Sequence, residues 1–225
     1  YKLTVAPTAL LDTSGRQLEV ERASEVWVYF PRKPAYLRLS RSKGVLELDG
    51  PRMVPLEGRG HGRVDLRVHQ VDPLDRTLWP FPDKPVVVDE AARPPGPGEE
   101  PAPHTDPRSY ISSGMLYQHL RSLGSPEVSA IVGLPLRPDG GAARFGLDLA
   151  EHLEHISGRS EPGHYLVGVR PLDGATTRTW MRVQITDLSL TAVEEPRAVR
   201  FAVTSLSSGR PVSGARVIVE GAVSR

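Results

Sequence analysis

Apolar and polar residues alternate with a period of two along much of this chain, and that alternation restricts the fold more than any other feature. "GRVDLRVHQV" is the clearest case. Val64, Leu66 and Val68 fall on one side of the strand, with Arg63, Asp65, Arg67 and His69 on the other. The same spacing groups Val26, Val28 and Phe30 in "EVWVYF", Ala35, Leu37 and Leu39 in "AYLRLS", and Tyr165, Val167 and Val169 in "HYLVGVRPL". It returns in Met181, Val183 and Ile185, in Val199, Phe201 and Val203, and in Ala215, Val217 and Val219. Strands with one dry and one wet face belong in antiparallel sheets packed face to face. The 22 prolines and 21 glycines punctuate these runs, as short strands joined by tight turns require. The expected fold class is all-β, tandem antiparallel β-sandwiches with one or two short helices.

Two segments break the pattern. "SSGMLYQHLRSLG" places Met115, Leu116, His119, Leu120 and Leu123 at helical spacing and closes on Gly124. "LDLAEHLEHISG" offers Asp148 as N-cap, Leu149, Leu153 and Ile156 as a buried stripe, and Gly158 as C-cap. Between the strands, "DEAARPPGPGEEPAPHTDP" at 89–107 is Pro- and acid-rich with almost no large apolar side chain. Such a stretch cannot offset its own ordering entropy and reads as a disordered loop within a domain.

Composition excludes several classes. With 28 basic and 27 acidic side chains the net charge is +1, which provides no footprint for nucleic acid. No run approaches a membrane span, and "YKLTVAPTAL" lacks the layout of a signal peptide, which leaves open a leader removed or lying upstream. Cysteine is absent, so disulfides, thiolate zinc sites and cysteine nucleophiles are ruled out within the chain.

Candidate chemistry is sparse. Glu151, His152, Glu154 and His155 form the best-looking metal cluster, but the histidines are three apart and match neither H-E-x-x-H nor H-x-x-E-H. A solvated helix face explains them as well. "EGRGHGR" (57–63) lacks the G-K-[ST] ending of a phosphate loop and opens a strand, so it reads as a connection. The serines of "YISSGM" and "LSSGR" form no G-x-S-x-G elbow, and His69 alternates onto the polar side of its strand. Trp27, Tyr29, Trp79, Phe81 and Trp180 could line a carbohydrate groove, against the simpler reading that adjacent sandwiches bury them. No residue is assigned a catalytic, cofactor-binding or metal-binding role, and no cofactor is expected.

The C-terminal third carries a resemblance. "PGHYLVGVRP" (162–171), "WMRVQITDLSLTA" (180–192) and "RFAVTSLSSGRPVSGARVIV" (200–219) follow in an order that resembles the N-terminal macroglobulin-like region of bacterial α2-macroglobulins. "KPAYLRLSRSKGVLELDG", "RVDLRVHQVDP" and "FGLDLAEHL" are similar to the preceding domain of that family. The first thirty residues resemble the last strands of a bacterial Ig-like module, with Asp12 to Gly15 as the turn.

The resemblance implies an incomplete array. Residues 1–31 would be the end of an Ig-like domain, 32–190 a macroglobulin-like sandwich, and 191–225 the start of another. It further implies a non-enzymatic, monomeric piece of a broad-spectrum peptidase inhibitor of the periplasm or cell envelope, any lipid anchor lying upstream. The partners would be proteinases, engaged through parts of the parent protein outside this chain. In that family a bait segment is cut, and a Cys-Glu-Gln thioester can tether the attacker; without cysteine this segment holds no thioester. The alternatives are a cell-surface adhesion or carbohydrate-binding sandwich, and an accessory module of a secreted hydrolase.

Overall fold

The structure is a computed structural model that describes residues 2–4, 11–17, 25–29, 33–92, 109, 111–137, 140–157 and 162–219. The chain divides into two units, Tyr1–Pro34 and Ala35–Arg225. In the first, β1 (Lys2–Thr4) pairs antiparallel with β2 (Glu25–Trp27), Leu3 opposite Val26. Asp12 builds the expected turn. Its carboxylate accepts from the Ser14 and Arg16 amides at 2.8 and 2.9 Å, and Gly15 takes φ +76°.

The second unit is a β-sandwich. Its strands are β3 (Tyr36–Leu39), β4 (Lys43–Glu47), β5 (Met53–Arg59), β6 (Arg63–Val71), β7 (Val86–Asp89), β8 (Val128–Gly133), β9 (Ala143–Asp148), β10 (Gly163–Pro171) and β11 (Thr177–Thr186). The large sheet runs β4-β11-β10-β6-β8, with β7 on the first half of β11, and the small one runs β3-β5-β9. Pairing is antiparallel except β4 with β11, which is parallel. The alternation read from sequence sets the interior. Val64, Leu66 and Val68 of β6, Tyr165, Val167 and Val169 of β10, and Met181, Val183 and Ile185 of β11 pack with Leu39, Val54, Leu56 and Leu147. Each is at least nine-tenths buried, a contribution of about 1.5–3 kcal/mol per large side chain.

The two helices sit where the sequence places them. Helix α1 (Ser113–Leu123) starts on Ser112, whose hydroxyl accepts from the Met115 amide at 3.2 Å, and closes on Gly124 at φ +83°. Helix α2 (Ala150–Ser157) follows Asp148, whose carboxylate accepts from the Ala150 amide at 2.9 Å, and puts Leu149 and Leu153 into the sandwich core. Gly158, its expected cap, lies outside the described residues.

One expectation fails in an informative way. The far face of the large sheet is covered instead of wet. Leu78, Phe81, Ile111 and Leu116 of α1 pack on Val71, Val86, Val88, Leu166 and Trp180, forming a second core. His69, read as solvent-facing, is only 4% exposed, and Asp65 9%. Of Asp89 and Glu90, read as the start of the disordered loop, Asp89 instead ends β7, exposed, and Glu90 just beyond it bonds Arg67 and Arg178 in this layer; positions 93–107 of that loop lie outside the described residues.

Beyond the sandwich, β12 (Leu188–Glu195) and β13 (Ala198–Ser205) form a hairpin in which Leu188 pairs with Ser205 and Glu195 with Ala198. Residues 215–219, expected as a strand, have no regular structure; Ala215 is exposed and Val219 is 68% exposed. The alternation is present there, but no second strand pairs with it among the described residues.

Candidate functional site

The far face of the large sheet holds the densest polar chemistry among the described residues. Register explains how it assembles. Trp180 lies opposite Gly168, Gly168 opposite Arg67, and Arg67 opposite Ser129, one row across four strands. Gly168 is the enabling residue. A Cβ there would lie 2.6 Å from Arg178 Cδ and 2.7 Å from Trp180 Cε3, so only glycine lets both side chains lie flat over β10.

Arg178, with no exposed surface, reaches across to β6 and β7. Its Nε donates to Glu90 Oε1 at 2.7 Å, its Nη2 to Asp65 Oδ2 at 2.6 Å and Glu90 Oε2 at 3.3 Å. Its Nη1 donates to the carbonyls of Asp65 and Gly168 at 2.7 and 3.3 Å. Arg170 adds a bond to Asp65 Oδ2 at 2.8 Å, and Arg67 one to Glu90 Oε1 at 3.0 Å. Three guanidiniums thus bracket two carboxylates. Burial pushes Asp65 up most strongly, yet the bonds from Arg178 and Arg170 and the charge of Arg67 outweigh it, holding the carboxyl below its ordinary range.

Beside this cluster, His69 and Trp180 pack ring on ring at 5.8 Å and 40°. Among the described residues, neither His69 Nδ1 nor Trp180 Nε1 has a hydrogen-bond partner. Burial is the main force lowering His69 below its usual value; Arg67 and Arg178 act the same way and Glu127 opposes them. A buried polar group left unpaired costs about 1–3 kcal/mol, so two side by side call for an explanation. Both side chains line a cavity of about 390 Å³ under the end of α1, together with Val88, Tyr117, Leu120 and Arg121. A more open trough of about 680 Å³ shares Arg67, Arg121, Gly124 and Pro126 with it and runs on to Ser125 and Ser129.

The other candidates are placed elsewhere. Glu151, His152, Glu154 and His155 lie along α2, and among the described residues no three His, Asp or Glu side chains converge as a metal site would need. Glu154 lines a separate cavity of about 380 Å³ with Asp49, Arg52 and Asp148. In "EGRGHGR", β5 runs to Arg59, Gly60 turns at φ +80°, and Glu57 bonds Arg38 and Tyr36. Ser112 caps α1, and Ser205, Ser207 and Ser208 bond among themselves and to Asp187. The aromatic residues divide. Phe81 and Trp180 are core, whereas Trp79 is 58% exposed with Arg182 4.8 Å from its ring, and Tyr29 is 86% exposed. The Trp27 side chain lies outside the described residues.

Sequence reasoning missed Arg178, Glu90, Asp65 and His69 as a group. Their one signal is a glycine within a strand flanked in space by charged residues, and it is readable only once the register is known.

No family model matches the chain, and no curated protein matches it. Among solved structures it is similar to native α2-macroglobulin from Escherichia coli spanning domains MG0-NIE-MG1, with 10% identity and a TM-score of 0.60. That match covers 94% of this chain and 57% of the other, so the chain spans little more than half of that structure. It is also similar to the fragment spanning NIE-MG1, with 11% identity and a TM-score of 0.53, over 79% of this chain and 73% of the other. The resemblance drawn from the sequence therefore holds in three dimensions: this chain has the macroglobulin-like β-sandwich fold of bacterial α2-macroglobulin.

Proposed function

We propose that the chain is a non-catalytic scaffold segment of an α2-macroglobulin-like protein that traps proteinases. The observation that carries this reading is the structural match over 94% of the chain at a TM-score of 0.60. In this reading residues 1–31, 32–190 and 191–225 are successive modules of a cell-envelope or periplasmic array, and proteinases engage other parts of it. The buried ionic cluster serves the scaffold. It ties β6, β7, β10 and β11 together by directional bonds, which resist sliding of one strand past another better than apolar contacts do.

The test is to mix the full-length parent with a general proteinase and follow both fragments and hydrodynamic size. A single early cut accompanied by a change in size supports trapping. Scattered cleavage with no change in size overturns it. The 225-residue chain alone is expected to leave proteinase activity unchanged.

A further inference from the structure

We propose that the cleft under the end of α1 binds the C-terminal carboxylate of a peptide whose last side chain is apolar. This inference is independent of the trapping reading. It begins with charge. Arg67, Arg170 and Arg178 face Asp65 and Glu90, an excess of one cation. Arg121, exposed in the last turn of α1, adds another, and its guanidinium makes no ion pair among the described residues. Glu127 subtracts one while accepting from the Gln70 amide at 2.9 Å. Both acidic groups of the inner cluster are already held by guanidiniums, so an entering anion meets unsatisfied positive charge. Arg121 also offsets the partial negative charge of the helix end.

The floor supplies a second argument. The Trp180 indole N–H can only donate, and among the described residues it has no acceptor; His69 Nδ1 beside it is likewise unpaired there. Both atoms are shielded from water, and the proposed complex requires the half-buried Tyr117 and Leu120 side chains to move aside to admit a ligand oxygen. The walls formed by Val88, Leu120 and Trp180 suit an apolar side chain next to the carboxylate.

Shape selects a peptide over a free acid. The recess of about 390 Å³ holds a terminal residue, and the trough toward Ser125 and Ser129 gives the preceding chain a way out. Ser129 lies on β8, the edge strand of the sheet, which pairs only with β6 among the described residues. A small carboxylic acid would have no use for that trough.

The 225-residue chain is titrated with acetyl-Ala-Gly-Leu carrying a free carboxylate, following tryptophan fluorescence and heat. Saturable binding at least about tenfold tighter than that of the C-terminal amide is expected. Arg121→Glu and, separately, Ser129→Trp each weaken it about tenfold with the thermal midpoint unchanged; both positions are exposed. Equal binding of acid and amide, no saturation up to roughly millimolar acid, or indifference to both substitutions overturns the proposal. If 4-methylpentanoate binds as tightly as the peptide, the peptide assignment is overturned in favour of small acids.

Discussion

Arg178 and Gly168 depend on each other. The guanidinium satisfies two carboxylates and two carbonyls at once because nothing rises from β10 beneath it. Replacing Arg178 with Met leaves the buried Asp65 and the partly buried Glu90 with fewer partners, and a loss of about 3–5 kcal/mol is expected in urea unfolding. Arg178→Lys does not restore it, since a single ammonium cannot reach acceptors on both sides. Gly168→Ala forces Arg178 and Trp180 out of place and is expected to cost about 1–3 kcal/mol in the same measurement. Neither residue stands out in the sequence. A glycine in a strand and an arginine in an alternating pattern read as a weak point and a solvated side chain, and only the register that sets them together changes their meaning.

Helix α1 was legible from its own residues because every signal it needs is local. Ser112, the Leu116–Leu120 spacing and Gly124 act within one or two turns. The two kinds of contribution separate by mutation. Ser112→Ala removes one cap bond and is expected to cost about 1 kcal/mol. Leu116→Ala opens a cavity in the second core and is expected to cost about 2–5 kcal/mol. Both are read from the shift of the urea midpoint. Strand β7 was less legible. Its last residue, Asp89, and Glu90 just beyond it precede a Pro- and Gly-rich run, so composition assigned both to the loop, while their partners lie some ninety residues further on. The parallel pairing of β4 with β11 escaped for the same reason, because alternation states which residues share a face and not the direction of the neighbouring strand.

Across the molecule, the polar groups of the covered face set how stability follows pH. His69 and His164 are both held below 6.5, each chiefly by burial. Their contribution is complete above the unfolded value of 6.5 and is lost as pH falls through the lowered folded values, because the unfolded chain takes up those protons first. Asp65 has the same sign lower down: its contribution is present above 3.8 and is lost as pH falls through its depressed folded value. Urea midpoints from about pH 8 to about pH 3 are therefore expected to fall in two stages. His69→Gln combined with His164→Gln should flatten the upper stage and leave the lower one in place. A single acid stage in the unsubstituted chain would refute this assignment.

Alternation, punctuation and capping residues were enough to establish a β-sandwich with two short helices. Those signals depend on neighbours a few residues apart, and burial of one face of each strand follows from them directly. The second, covered face of the large sheet was decided in three dimensions alone. Asp65 and His69 carry the pattern of a wet surface, and they are buried because α1 and β7 cover this face and Arg178 and Arg170 neutralise the carboxylate across the sheet. A charge tolerates burial only when its partners are in place. Those partners come from positions more than a hundred residues away, a distance at which periodicity carries no information.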